Sequence, residues 1–64
     1  MYADYWRRLD AIQREQLATQ LATNPDYLRQ VLYGYRQAGA RLTKELHELT
    51  KGQVSKYQLR PDIF

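Results

Sequence analysis

Two short helical patterns, separated by a stop and a fresh start, occupy residues 14–34 and confine the chain to a pair of helices crossing at a tight turn. In the first, residues 14–22, Leu17, Ala18 and Leu21 fall on one side, and the small Ala18 allows a second helix to cross closely. The second has a sharply defined beginning. Asn24 supplies an N-cap oxygen, Pro25 suits the first helical position, and Asp26 sets a carboxylate near the positive end of the helix dipole. At roughly 100° per residue, Tyr27, Leu28, Val31 and Leu32 share an apolar arc, while Asp26, Arg29, Gln30 and Tyr33 share the opposite one. Gly34 is the natural stop, because glycine tolerates the left-handed backbone that ends many helices. One face of this second helix packs, and the other is polar and free.

This spacing resembles the helix-turn-helix signature of DNA readers, with Leu17-Ala18 at its Leu-Ala pair, Leu21 four residues on, and Leu28 and Val31 anchoring the reading helix. The signature ordinarily has Gly at the place of Ala22 and an aliphatic residue at Thr23. Alanine is expected to take an ordinary end-of-helix conformation there. The resemblance continues through Leu49-Thr50-Lys51-Gly52-Gln53-Val54 and the terminal Leu59-Arg60-Pro61-Asp62-Ile63-Phe64. From Gln16 onward the chain is similar to phage Cro-type regulators and the related YdaS-like prophage proteins. That resemblance implies an all-α, compact helix-turn-helix domain of about five short helices, Cro/lambda-repressor-like, filling residues 1–64. It implies a cytoplasmic transcriptional regulator in a bacterial host, and a homodimer on a palindromic double-stranded DNA operator with reading helices about 34 Å apart. The family commonly starts its fourth helix with a Ser-Pro step, where this chain has Gly39-Ala40.

The polar face carries the candidate reading residues. Arg29 can offer a bidentate fork to guanine O6 and N7, and Gln30 can pair with adenine N6 and N7, each worth roughly 1–3 kcal/mol of discrimination. Tyr33 is a candidate for a phosphate or a thymine methyl, its alternative being a packing role at the rim. Asp26 can accept from cytosine N4, although its own helix terminus already accounts for a carboxylate there. Arg14, Asn24, Tyr35, Arg36 and Arg41 form the expected phosphate clamp, with capping alone a sufficient reason for Asn24.

Charge is unevenly placed. The net charge is +3, residues 1–32 balance, and the excess comes from Arg36, Arg41, Lys44, Lys51, Lys56 and Arg60 after the reading helix. Such a segment suits a phosphate backbone, or else is simply a solvated surface.

The rest of the chain reads as scaffold. Tyr2, Tyr5, Trp6, Leu9 and Ile12 align as one amphipathic first helix, and Leu42, Leu46 and Leu49 form a narrow stripe on a fourth. Ser55 can cap a short last helix before Pro61, while Val54 to Tyr57 is also tolerable as a strand; the leucine spacing and the Leu-Arg-Pro-Asp step favour the helix. Sixty-four residues are near the lower limit for an independent core, so dimerisation would help. With no Cys, one Ser and one His, no metal site, cofactor loop or catalytic triad is expected; His47 is read as a surface residue and the chain as no enzyme. No apolar run approaches the ~20 residues of a membrane span. The other class open to this sequence is a prophage toxin-antitoxin component or similar module on the same fold, meeting a protein partner through the Ile63-Phe64 end and the fourth-helix stripe.

Overall fold

The structure, a computed structural model, describes residues 2–64. Five helices follow in order: α1 Ala3–Arg8, α2 Ala11–Gln20, α3 Pro25–Tyr33, α4 Ala40–Leu49 and α5 Lys56–Leu59, with no strand among the described residues. The choice left open at residues 53–60 resolves to a helix, begun by Ser55, whose Oγ accepts from the Tyr57 N–H at 3.2 Å.

The first apolar pattern does not make one helix through Ile12. Asp10 Oδ1 accepts from the Gln13 N–H at 2.7 Å while Gln13 Oε1 accepts from the Asp10 N–H at 3.0 Å, a reciprocal capping box that starts a new helix. Leu9 is extended, α2 begins at Ala11 rather than at Arg14, and Ile12 ends up 69% exposed.

A single cluster forms the core: Trp6 from α1, Ala18 and Leu21 from α2 and its end, Leu28 and Leu32 from α3, Leu46 from α4, and Val54 before α5. Tyr2, Tyr5, Leu9, Leu17, Tyr33, Leu42 and Leu59 pack around it. α1 and α2 both lie against α3, so the two flanking helices hold the apolar arc of α3 and leave its polar arc outward. The buried face of α4 is turned from the expected stripe. Thr43 and Thr50 are buried, whereas Leu49 is 45% exposed.

Thr50 explains the Thr-x-Gly-x-Val run. Its Oγ1 donates to the Leu46 carbonyl at 2.7 Å and accepts from the Val54 N–H at 3.0 Å, turning the chain after α4 so that Val54 is fully buried. Substituting Thr50→Val keeps the shape but strands that N–H, and is expected to cost about 1–3 kcal/mol in chemical denaturation, while Thr50→Ser keeps the bond. His47 is not a free surface residue. Its Nδ1 accepts from the Lys56 N–H at 3.1 Å, which requires a neutral nitrogen there and secures the first turn of α5. Tyr2 closes the same junction from the other end of the chain. Its hydroxyl donates to Gln58 Oε1 and accepts from the Ser55 N–H at 3.0 Å, and its own N–H donates to the Leu32 carbonyl at 2.6 Å.

The terminal Leu-Arg-Pro-Asp step is a hook. Arg60 donates through Nε and Nη2 to the Asp62 carboxylate at 3.0 and 2.8 Å, and through Nη1 to the Ala38 carbonyl at 2.5 Å, tying the tail to the segment between α3 and α4. The hydrogen bond from Arg60 holds the Asp62 carboxyl below the usual carboxylate range. A carboxylate depressed in the folded state stabilises above its unfolded pKa, about 4, and loses that contribution as pH falls through its lower folded value. Proteolysis of the tail is therefore expected to accelerate below about pH 4, and Asp62→Asn is expected to show the fast rate already at neutral pH.

The turn between α2 and α3 departs from expectation in one residue. The Thr23 N–H donates to the Ala18 carbonyl at 2.9 Å and the Ala22 N–H to the Thr19 carbonyl at 3.1 Å, a paired closure that puts Ala22 at φ +56°. Alanine thus occupies a left-handed conformation, not an ordinary helical end. Relief of that strain, less the extra entropy of an unfolded glycine, makes Ala22→Gly stabilising by about 0.5–1 kcal/mol, read as a raised urea midpoint. Lys51 at φ +55° closes α4 in the same way, one residue before Gly52.

Candidate nucleic-acid interface

α3 is built as the sequence implies. Asn24 Oδ1 accepts from the Tyr27 N–H at 2.8 Å, Pro25 opens the helix, and Gly34 at φ +88° ends it. Leu28, Val31 and Leu32 are each no more than 1% exposed, so the helix is fixed in rotation about its axis. That constraint aims the other face.

The outward face joins the four sequence-predicted reading residues into one network. Asp26 Oδ1 accepts from Arg29 Nη2 at 3.1 Å, and Asp26 Oδ2 accepts from Gln30 Nε2 at 3.0 Å. The Arg29 guanidinium lies 5.9 Å from the centre of the Tyr33 ring, within reach of a cation–π attraction. Tyr33 is half-buried, and its ring is 5.9 Å from that of Tyr35, which is 74% exposed and continues the surface past Gly34.

α1 adds a residue that the sequence reading omitted. The Arg7 guanidinium lies 5.7 Å from the centre of the same Tyr33 ring and pairs with Asp4 at 3.0 Å, so two arginines from different helices gather at one tyrosine. Only the packing of α1 on α3 reveals this. The sequence signal was no more than a basic residue on the polar side of the first helix.

The residues of the expected phosphate clamp come from several elements. Arg36 is exposed beside Tyr27, its guanidinium 5.7 Å from that ring, and Arg41 is exposed at the start of α4, paired with Glu45 at 3.0 Å. Asn24 has its side-chain oxygen engaged in the cap. Arg14 is half-buried against Trp6: Nε and Nη2 donate to the Trp6 carbonyl at 3.3 and 3.0 Å, and the guanidinium lies 4.9 Å from the centre of a Trp6 ring. Arg14 therefore supports the end of α1, where α1 meets α2.

Residues 13–64 match the sequence model of the family described as bacterial toxin YdaS, a span that includes the whole of α3, α4, α5 and the tail. The chain belongs to the YdaS family. A prophage transcriptional regulatory protein of Escherichia coli strain K12 is 42% identical over 60 residues, which cover 94% of this chain and 91% of that protein. No solved structure matches. In this YdaS-family chain the Thr50 and Arg60–Asp62 hydrogen bonds give physical content to the two runs on which the sequence resemblance rested. No helix among the described residues is long and apolar enough to cross a membrane.

Proposed function

We propose that this chain regulates prophage transcription as a Cro-like repressor, reading operator DNA through the outward face of α3. The observation that carries the reading is the fixed rotation of α3, which buries Leu28, Val31 and Leu32 and presents Arg29, Gln30, Tyr33 and Asp26 together. Arg29 takes guanine by its two-pronged fork, Gln30 takes adenine, and Tyr33 lies beside them for a thymine methyl or a phosphate. Tyr35, Arg36 and Arg41 contact phosphates, with Asn24 presenting the N-terminus of α3 and Arg14 acting from α2. The regulatory name of the Escherichia coli relative supports the same assignment.

The nine residues of α3 span about 13 Å, enough for one half-site in one major groove. A two-fold pair of chains would set two such helices about 34 Å apart on one face of a palindrome. The test is selection of bound duplexes from a random library at low salt. A palindromic consensus is expected. Absence of any enrichment by folded protein would overturn DNA reading in favour of the toxin description, with the exposed Leu49 and Ile63 as the surfaces to probe for a protein partner.

A further inference from the structure

The geometry points to Asp26 as the residue that sets sequence specificity, by orienting both reading side chains rather than by touching a base. This inference rests on the proposed reading of DNA by α3. The Asp26 carboxylate is bonded to Arg29 Nη2 through one oxygen and to Gln30 Nε2 through the other, at 3.1 and 3.0 Å. All three side chains lie on the outer arc of one helix, with Asp26 at 70% and Arg29 at 41% side-chain exposure. An exposed ion pair of this kind contributes little to stability. Its effect lies in where it holds its partners.

Gln30 shows why. Its terminal amide has one accepting and one donating end, and turned over it would present the opposite pattern to a base. An ionised carboxylate only accepts, so Asp26 selects the orientation in which Nε2 faces the carboxylate and leaves Oε1 free of it. The second Nε2 hydrogen remains available. One acceptor and one donor then face the groove, the pair needed by adenine N6–H and N7. Arg29 is held in the same way: Asp26 engages one Nη2 hydrogen, the Tyr33 ring restrains the guanidinium from another side, and Nη1, Nε and the second Nη2 hydrogen stay free to fork onto guanine.

A carboxylate beside the phosphate backbone repels it, and that penalty applies to every duplex, matched or mismatched. The orientation it imposes is rewarded only where the bases match. Asp26 therefore lowers affinity for DNA in general while widening the gap between right and wrong sequences.

The test compares wild type with Asp26→Asn, which keeps the side chain's size, and with Asp26→Ala, on three duplexes: the consensus selected by wild type, one altered at the adenine read by Gln30, and one unrelated in sequence. Asn has its own donating and accepting ends, so it permits both orientations of the Gln30 amide. Both variants are expected to bind the unrelated duplex at least as well as wild type and to lose about tenfold of the ratio between consensus and altered sites. An unchanged ratio overturns the inference, as does an equal loss of affinity on all three duplexes, which is the signature of a role at the helix terminus alone. Failure of wild type to enrich any sequence overturns the DNA reading beneath it, and is distinguishable because it appears before any variant is made.

Discussion

The double substitution Arg29→Ala, Gln30→Ala is expected to leave the protein folded and to erase its preference among DNA sequences. Neither side chain belongs to the core cluster, and both sit on the outward arc of α3, so the apolar face that holds the helix is untouched. Each reading contact is worth roughly 1–3 kcal/mol, hence about 5- to 150-fold in affinity for the preferred site per residue. Binding that survives should be weak, steeply salt-dependent and indifferent to sequence, because it would come from the phosphate contacts alone. Equilibrium titration of the selected duplex and an unrelated one at two salt concentrations separates the two components. The Asp26 carboxylate, no longer paired with Arg29, should depress that residual binding further, and a triple variant that also carries Asp26→Ala should recover it.

Leu28→Ala is expected to have the largest effect on the fold. Leu28 is fully buried where α3 joins the single core cluster. Truncating a buried leucine costs about 2–5 kcal/mol, the spread reflecting how far the site can collapse. At roughly 0.05–0.15 kcal/mol per residue, a domain of this size has about 3–10 kcal/mol in total. A substantial unfolded fraction at ambient temperature should follow, visible as lost helical circular dichroism. Recovery of the signal on adding the selected duplex would show that the folded form is the one that binds DNA.

α3 was legible in the sequence because all its signals are local. Asn24, Pro25 and Gly34 mark its ends, and the alternation of Leu28, Val31 and Leu32 with Arg29 and Gln30 marks its faces within nine residues. The boundary between α1 and α2 is hidden in the sequence because the apolar period from Tyr2 to Ile12 runs straight across it. The capping pair Asp10 and Gln13, three residues apart, wins there over periodicity. On α4 the leucines mark a helix, but Thr50 takes a buried place because its hydroxyl serves the Val54 N–H.

Other roles depend on contacts that no local pattern contains. Tyr2 bonds to residues 53 and 56 positions away, and Arg7 reaches the outward face of α3 only because α1 packs on α3. Arg14 has a structural part that its charge did not announce: two of its nitrogens donate to the Trp6 carbonyl, joining α2 to α1. For the site, residue types and helix phase identified the members of the face. The Asp26 hydrogen bonds that order them are visible only in the folded chain.

The most direct test of base reading by α3 is a cycle between Arg29 and a single guanine atom. Each guanine of the selected site is replaced in turn by 7-deazaguanine, which lacks the N7 acceptor, and binding is measured for wild type and for Arg29→Ala. At one guanine per half-site the modification should weaken wild type by about fivefold or more and leave Arg29→Ala unaffected, since the contact is already gone. Equal losses for both proteins at every guanine would contradict the account and exclude Arg29 as the reader of guanine N7.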